Sequence, residues 1–234
     1  MISVAMATYN GEKYIKEQID SILKNLEEND ELVISDDGST DKTLEIVEGY
    51  CDSRIILLKG PHKGINKNFE NAIANCKGDI IFLSDQDDYW TDNKAKTVIA
   101  YFLQTNCSIV EHDAYVVDEH HNIILDSFFD KRKPKSGYIN NIIKNSYHGC
   151  CMAFDAKLKD KILPIPSKHF FHDQWIGVVS EYYKNNTIFI PEKLIYYCRY
   201  ENNNSNFYGD SWFVRIRNRT EIIASLIKRV AKGV

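Results

Sequence analysis

The sequence predicts an α/β fold in which helices cover a central, mostly parallel β-sheet. Two observations lead to this prediction. In the first half of the chain, short apolar runs typical of strands alternate with segments in which apolar residues recur at the period of a helix. Polar and turn-forming residues follow three of the four predicted strands, and the carboxyl ends of parallel strands are where such folds bind ligands.

The predicted strands and helices of the first half follow one another in the order βαβαβαβ. The strands are the apolar runs 2–7, 31–35, 54–58 and 79–84. Between them lie three apolar stripes with helical spacing, and each predicts the buried face of a helix. The stripes consist of Ile15, Ile19, Ile22, Leu23 and Leu26; of Leu44, Ile46, Val47 and Tyr50; and of Ile65, Phe69, Ala72, Ile73 and Cys76.

From about residue 107 the pattern changes to short strand-like pieces, a basic loop and mixed elements. We predict a mixed, partly antiparallel extension of the sheet that covers the ligand-binding crevice. The sequence shows no internal repeat and no low-complexity linker. We therefore expect one compact unit over 1–206, made of the halves 1–106 and 107–206, followed by a basic amphipathic helix in 207–234.

The composition is that of a globular protein without a general affinity for nucleic acids. The 234 residues are 44% hydrophobic, and 33 acidic against 29 basic residues give a net charge of −4. The six cysteines show no CxxC spacing, which favours reduced thiols. The N-terminus lacks the pattern of a signal peptide, and no window approaches the roughly 20 apolar residues of a membrane span. We therefore expect a cytoplasmic protein.

The fourth predicted strand ends in SDQDD, which places Asp85, Asp87 and Asp88 within four positions. Crowded carboxylates repel one another most strongly in a crevice of low dielectric constant, and a divalent cation removes this penalty. Mg²⁺ binds one or two carboxylates together with substrate phosphate oxygens. The alternative is a solvated turn in which an Asp caps the following helix. The residues alone leave both interpretations open.

Two further polar loops follow the first and second predicted strands. The loop 7–12 leads into a helix whose N-terminal N–H groups favour anions. The loop 35–41 carries Asp36 and Asp37, which can accept hydrogen bonds from a base or a ribose, or can form an ordinary loop and helix cap. Lys63, after the third strand, either lies near a bound diphosphate or faces solvent.

The ordered motifs TYNGEKY, SDDGSTD, SDQDDYW, YHGCCMAF, HDQW and CRYENNNS resemble those of the family 2 inverting glycosyltransferases, which have the GT-A fold. The resemblance extends over roughly residues 2–206. It is closest to the rhamnosyltransferase-like and capsular or O-antigen branch. It implies transfer of a sugar from a nucleoside diphosphate, with dTDP-rhamnose or a UDP-hexose as expected donor, to a hydroxyl of a surface polysaccharide or lipid-linked glycan. Residues 1–106 would bind the nucleotide sugar and 107–206 the acceptor.

The resemblance also implies roles for single residues on the donor side. Asp85 would hold ribose or sugar hydroxyls, and Asp87 would bind Mg²⁺ or Mn²⁺ between the two phosphates. Glu201 stands where this branch carries a His near the metal, so it either completes the metal site or faces solvent. The expected donor-binding residues are Ala7, Thr8, Tyr9, Asn10, Glu12, Asp36, Asp37, Lys63, Asn68, Asp85, Gln86 and Arg199.

On the acceptor side, the resemblance places the catalytic base at Asp173, with His172 in place of the usual acidic neighbour. Direct displacement with inversion needs one carboxylate to deprotonate the acceptor hydroxyl, and burial among aromatic rings raises a carboxyl pKa. The alternative is that Asp173 caps the following helix. The expected acceptor-binding residues are Gly149, Cys150, His172 and Trp175.

Other functions and contacts remain open on the sequence alone. A non-catalytic nucleotide-sugar-binding module would explain the altered neighbour of Asp173, and a metal-dependent phosphohydrolase would explain the strand-end Asp pair. Residues 211–232 carry six basic residues and one acidic residue, a pattern typical of a helix on an anionic membrane surface. Peripheral contact at the inner face of the plasma membrane, docking on the chain's own body and a homodimer contact are the alternatives for this helix.

Overall fold

A mixed β-sheet forms the centre of the computed structural model, which describes residues 1–166, 170–200 and 212–231. It contains nine strands among these residues. They are β1 (Ile2–Thr8), β2 (Glu31–Asp36), β3 (Ile55–Lys59), β4 (Ile80–Ser84), β5 (Tyr89–Trp90), β6 (Ile109–Val117), β7 (Ile123–Leu125), β8 (Met152–Asp155) and β9 (Thr187–Cys198). In the sheet they lie in the order β3-β2-β1-β4-β8-β6-β9-β5, and β7 pairs with β6.

Helices lie on both faces of the sheet. Those of the described chain are α1 (Ile15–Leu23), α2 (Thr43–Glu48), α3 (Ile65–Asn75), α4 (Lys94–Thr105), α5 (Phe128–Arg132), α6 (Tyr138–Ile143), α7 (Lys159–Ile162), α8 (His172–Tyr182) and α9 (Trp212–Ala231). Two 3-10 turns, Gly149–Cys151 and Ala156–Leu158, flank β8. One buried core contains side chains of α1, α2 and α4, and the other contains side chains of α3, α7, α8 and α9.

The predicted parallel half is confirmed. The four predicted strands are β1 to β4, and they pair in parallel in the order β3-β2-β1-β4. β1 and β2 are buried along their whole length. The predicted stripes differ from the helices only at their ends. Leu26 and Cys76 are buried just beyond α1 and α3, whereas Ile65 at the start of α3 is 40% exposed.

The second half extends the same sheet in a mixed manner, as predicted. β8 is antiparallel to both β4 and β6, whereas β9 runs parallel to β6 and antiparallel to β5. Because β4 and β8 run in opposite directions, the end of β4 lies beside the beginning of β8. This arrangement brings the acidic loop after β4 next to the 3-10 turn Gly149–Cys151.

α9 packs against the body of the protein through one face. Ile222 and Leu226 are buried in the core that contains α3 and α8. Arg229 donates hydrogen bonds to the carbonyls of Asp160 and Leu163 at 2.8 and 2.7 Å. Another face carries exposed apolar side chains: Trp212, Phe213, Ile216, Ile223, Ile227 and Val230. In the described part of the chain, no helix combines the length and apolar character that a membrane span requires.

Candidate active site

A cavity of about 750 Å³ opens where β1 and β4 end, and both halves of the chain line it. The 3-10 turn before β8 and the first turn of α8 lie at the same place. The sequence thus anticipated many of the side chains that meet here. The predicted site residues in the lining are Ala7, Thr8, Tyr9, Asp37, Asn68, Asp85, Gln86, Asp87, Gly149, His172 and Asp173.

Gln86 joins the loop after β4 to the loop after β1. Its side-chain oxygen accepts a hydrogen bond from the Tyr9 N–H at 2.9 Å, and its Nε2 donates to the Tyr9 carbonyl at 3.1 Å. Asn68 donates to the Thr8 carbonyl at 3.1 Å. Tyr9 itself is 57% exposed, so its ring is accessible to a planar base. These contacts hold four predicted donor-binding residues at one edge of the cavity.

Asp36, Asn10 and Glu12 use their polar atoms to connect the loops after β1 and β2. The Asp36 carboxylate accepts hydrogen bonds from the Thr8 hydroxyl at 2.9 Å and from two N–H groups of the following turn. Asn10 and Glu12 each accept a hydrogen bond from an N–H group within residues 40–42. The structure therefore places these three predicted donor-binding residues outside the cavity lining, where they shape the loops that form it.

Three further residues were predicted on the donor side, and the structure describes two of them, Lys63 and Arg199, outside the lining. Lys63 is exposed, and its backbone N–H rather than its charge contacts the site, through Asp37. Arg199 donates to the Tyr197 hydroxyl at 2.9 Å, and its charge acts to lower the pKa of Asp87. Glu201, the candidate second metal ligand, lies outside the described residues.

The acidic cluster after β4 carries more negative charge than its surroundings neutralise. Burial, together with the charges of Asp87 and Asp173, raises the pKa of Asp85 to about 7. Burial raises the pKa of Asp87 to about 6. Asp88 is 2% exposed, whereas Asp85 and Asp87 are half-buried, and the residue before α4 is Asn93, so none of the three carboxylates caps that helix. A bound cation would stabilise the ionised form of these carboxylates.

Asp85 and Asp87 suit a hard divalent cation better than the more buried Asp88 does. Among the described residues, one cluster of side chains is spaced closely enough to coordinate a metal ion: Asp85, Asp88 and Cys150 have potential ligand atoms within 4.8 Å of one another. A thiolate is a soft ligand, whereas Mg²⁺ and Mn²⁺ favour oxygen ligands. Asp88 accepts a hydrogen bond from the Cys198 N–H at 2.9 Å, and neither Asp88 nor Cys150 is in the cavity lining. Asp87 lies in the lining, where a cation can also meet a phosphate.

Asp173 lies in the first turn of α8, close enough to the acidic cluster for its charge to affect Asp85. It is 7% exposed, and its Oδ2 accepts a hydrogen bond from the Gly149 N–H at 3.2 Å. Burial raises its pKa to about 6. The N-cap position of α8 belongs to Phe171, so the alternative role of Asp173 as an N-cap is wrong. The carboxylate is poised to take up a proton near neutral pH.

His172, the residue before Asp173, carries a buried, neutral ring. It stacks on Phe69 with the ring centres 3.7 Å apart, and burial lowers its pKa to about 3. A Cβ atom on Gly149 would lie 2.8 Å from His172 Nε2, so this position has no room for a side chain. The glycine at position 149 is therefore required by the packing of the His172 ring.

Two of the predicted acceptor-binding residues are placed in the core instead of the cavity. Trp175 is 1% exposed, and its Nε1 donates to the Ile162 carbonyl at 2.8 Å. Cys150 is fully buried, with its Sγ 4.0 Å from that of Cys151. The indole N–H of Trp175 has a hydrogen-bond acceptor inside the protein, and a buried thiol such as Cys150 behaves as a small apolar group, so both side chains are stable in the core.

Comparison with known proteins identifies the family. The family model described as glycosyl transferase family 2 matches residues 3–162, which is more than half of the chain. The chain belongs to glycosyl transferase family 2. The resemblance seen in the ordered sequence motifs is thus confirmed, and the protein is a glycosyltransferase by family.

Two curated relatives of this family 2 glycosyltransferase are bacterial enzymes. The chain is 32% identical over 187 residues to the UDP-Glc:alpha-D-GlcNAc-diphosphoundecaprenol beta-1,3-glucosyltransferase WfgD of Escherichia coli, covering 77% of this chain and 70% of that protein. It is 36% identical over 152 residues to the dTDP-rhamnosyl transferase RfbG of Shigella flexneri, covering 57% of this chain and 53% of that protein. The chain therefore spans 70% of the first relative and about half of the second.

Solved structures show that this family 2 glycosyltransferase has the predicted GT-A fold. Staphylococcus aureus TarS 1-349 in complex with UDP-GlcNAc has a TM-score of 0.71 at 21% identity, covering 98% of this chain and 66% of that chain. The mannosyltransferase PcManGT from Pyrobaculum calidifontis, in complex with GDP-Man and Mn²⁺, has a TM-score of 0.70 at 18% identity, covering 95% and 64%. At such identities the likeness concerns the fold alone.

The sequence reasoning missed a buried positive charge next to the acidic cluster. Lys94, the first residue of α4, is fully buried; it donates to the Cys150 carbonyl at 2.7 Å and lies 4.2 Å from the centre of the Trp90 ring. Burial lowers its pKa to about 8, and its charge acts to lower the pKa of Asp85. In the sequence, a lysine nine residues after Asp85 looks like an ordinary surface lysine. Only the position of α4 in the folded protein places Lys94 next to the acidic cluster.

Proposed function

We propose that this chain is an inverting, metal-dependent glycosyltransferase that moves a sugar from a nucleoside diphosphate to a hydroxyl of a surface polysaccharide or lipid-linked glycan. One observation carries the proposal. A single cavity unites the acidic pair Asp85 and Asp87 with Asp173, a separate buried carboxylate whose pKa is raised to about 6. The acidic pair suits a cation and a diphosphate, and the separate carboxylate suits a base.

On the donor side, Asp87 would hold Mg²⁺ or Mn²⁺, and Asp85 would accept hydrogen bonds from ribose or sugar hydroxyls. The bound cation would stabilise negative charge on the departing nucleoside diphosphate. Glu201 is the candidate second metal ligand, and Arg199, whose charge reaches Asp87, pairs with phosphate. Tyr9 offers the exposed ring on which the base stacks.

On the acceptor side, Asp173 takes the proton from the acceptor hydroxyl. A single carboxylate that activates this hydroxyl on the face opposite the leaving group leads to inversion at the transferred sugar. The Gly149 N–H orients the Asp173 carboxylate through their 3.2 Å hydrogen bond. The neutral His172 ring supports this geometry and leaves Asp173 as the proton acceptor, because a pKa of about 3 makes the imidazole a weak base.

The names of the relatives favour two donor classes. UDP-glucose and dTDP-rhamnose appear in the names of the two curated relatives, and the name of the first includes a diphosphoundecaprenol acceptor. We infer a UDP-hexose or dTDP-rhamnose donor and a glycan or lipid-linked acceptor for this chain. Residues 1–106 would bind the donor and 107–206 the acceptor, and α9 packs against this body.

The exposed face of α9 fits peripheral contact with the inner face of the plasma membrane. Its six exposed apolar residues would enter the lipid boundary, and the exposed cations Arg217 and Lys228 would meet anionic headgroups. The face that carries Ile222 and Leu226 is already used by the protein itself. We expect the protein to co-sediment with phosphatidylglycerol vesicles but not with neutral vesicles. A homodimer that binds no vesicles would refute membrane contact through this face.

Thermal-shift measurements with UDP, dTDP and GDP sugars, each with and without Mn²⁺, test the donor site, and a radiolabelled transfer assay tests the reaction. We expect stabilisation by one nucleotide class that requires Mn²⁺. Donor binding without hydrolysis or transfer to any acceptor would favour a non-catalytic binding module instead. Metal-dependent release of phosphate from simple phosphoesters would favour a phosphohydrolase.

A further inference from the structure

A basic wall lines part of the cavity and has no role in the reaction as proposed above. It comes from α5, from α6 with the loop that follows it, and from α9. The described lining residues of these segments, 128–145 and 212–231, include five cations and no carboxylate. The cations that form the basic wall are Lys131, Arg132, Lys144, Arg215 and Arg219.

Main-chain carbonyls, not acidic side chains, hold three of these cations. Arg132 donates to the Asn145 carbonyl at 3.4 Å, Lys144 to the Arg132 carbonyl at 2.7 Å, and Arg219 Nε to the Ile143 carbonyl at 3.0 Å. Within the described residues, no carboxylate pairs with any of the three. A carbonyl does not cancel a full positive charge, so these three side chains remain positive. Most of the N–H groups of the two guanidinium groups remain available to a ligand.

One member of the basic wall, Arg132, lies close enough to the candidate base for its charge to act on Asp173. Burial raises the pKa of Asp173, and the positive charge of Arg132 acts to lower it. At Asp87 the charge that acts to lower the pKa is instead that of Arg199, and at Asp85 it is that of Lys94. An acceptor whose hydroxyl lies at Asp173 would therefore bring its neighbouring groups towards the wall.

We propose that the basic wall binds a phosphate group of the acceptor, close to the hydroxyl that receives the sugar. Arginine matches phosphate well because its planar guanidinium donates two parallel hydrogen bonds, and Arg132 and Arg219 supply two such groups beside Lys144. That the phosphate belongs to the acceptor rests on the proposed function. A purely structural role is the alternative, since Arg132 and Lys144 also lie at the C-terminal ends of α5 and α6, where cations are favoured by the helix dipole.

Calorimetric titration with octyl phosphate, a simple phosphomonoester, tests the site, and uncharged octyl glucoside serves as the ligand control. The test variants are Arg132→Gln and Arg219→Gln. The matched controls, Lys133→Gln and Lys135→Gln, each remove an exposed cation from the segment 128–145 but outside the cavity lining. We expect each wall variant to weaken octyl phosphate binding by roughly tenfold, and the control variants and octyl glucoside binding to change by less than about twofold.

Absence of octyl phosphate binding to the wild-type protein, or equal binding by wall and control variants, would overturn the proposal. Titration of the same variants with UDP and Mn²⁺ separates the two sources of phosphate. A loss of UDP affinity as large as the loss for octyl phosphate would assign the wall to the donor and overturn the acceptor assignment. Octyl phosphate binding at the wall in a protein that binds no nucleotide would refute the proposed glycosyl transfer and still support the anion site.

Discussion

Gly149 donates its backbone N–H to the Asp173 carboxylate at 3.2 Å, and no side chain fits at this glycine because His172 Nε2 lies 2.8 Å from the position of a Cβ atom. The two residues come from different elements, the 3-10 turn before β8 and the first turn of α8. Their contact fixes the position of the candidate base relative to the rest of the cavity. The orientation of that base therefore depends on close backbone packing.

Gly149→Ala should impair catalysis more than donor binding. The added methyl group would push His172 or the turn away and move the Asp173 carboxylate, and a displacement of about 1 Å can cost on the order of 100-fold in rate. We expect kcat to fall by that order while UDP affinity in the presence of Mn²⁺ stays within about threefold. Gly49→Ala is the control variant, because Gly49 lies on the surface. Gly64→Ala is unsuitable because Gly64 has φ +82°, a backbone conformation that alanine rarely adopts. Unchanged kcat for Gly149→Ala would contradict the positioning role.

Asp87→Asn should abolish metal-dependent nucleotide binding. An amide oxygen carries no charge, so the variant loses most of the attraction for a divalent cation. Asp92→Asn is the matched control, because Asp92 is exposed and lies outside the cavity lining five residues later. The Mn²⁺-dependent thermal shift with the donor nucleotide should disappear in Asp87→Asn and persist in the control. Retention of that shift in Asp87→Asn would transfer the metal assignment to Asp85 and Asp88.

Asp173→Asn should keep donor binding and lose turnover, with kcat lower by roughly 10²- to 10⁴-fold. For the wild-type enzyme, kcat should rise with pH through about 6 and level off above it, because the pKa of Asp173 is raised to about 6 and the base acts in its ionised form. The pH profile of the residual activity in Asp173→Asn should lack this rise. Normal turnover in Asp173→Asn would exclude it as the base.

Lys94→Met should destabilise the protein and disturb the acidic cluster. The substitution removes the buried cation beside Asp85 and Asp88 and leaves their charge less compensated, at a cost on the order of 3 kcal/mol. Lys96→Met, two residues later on the exposed face of α4, is the matched control and should be nearly neutral. Chemical denaturation without metal measures the difference. Because Mn²⁺ supplies positive charge at the same cluster, it should recover part of the stability in Lys94→Met, and equal stability of the two variants would refute this role.

The order of strands and the polar loops at their ends could be predicted because both depend on local sequence. Hydrophobic period distinguishes β1 from α1 without knowledge of any contact, and a parallel arrangement then requires the loops carrying Tyr9, Asp37 and Asp85 to open at one edge. Hydrophobic period did not identify Asp173, which was predicted as the base only through the resemblance to a family. Its local pattern is equally compatible with a helix cap, and the structure shows that Phe171 occupies the cap position.

Long-range packing decided which of the predicted residues reach the cavity. Asp36, Asn10 and Glu12 look like ligand-binding residues in the sequence, yet their polar atoms connect two loops. Such a choice depends on which acceptor happens to face which N–H group in three dimensions, and local sequence does not encode it.

The α/β class, the family and the acidic end of β4 could be read from the chain alone, because hydrophobic period and ordered motifs are local properties of the sequence. Three features became visible only in the folded protein: Lys94 compensates the acidic cluster, Trp175 belongs to the core, and cations from α5, α9 and the loop after α6 line one cavity. The charge state and accessibility of a side chain depend on its surroundings, and these neighbours come from segments far apart in sequence.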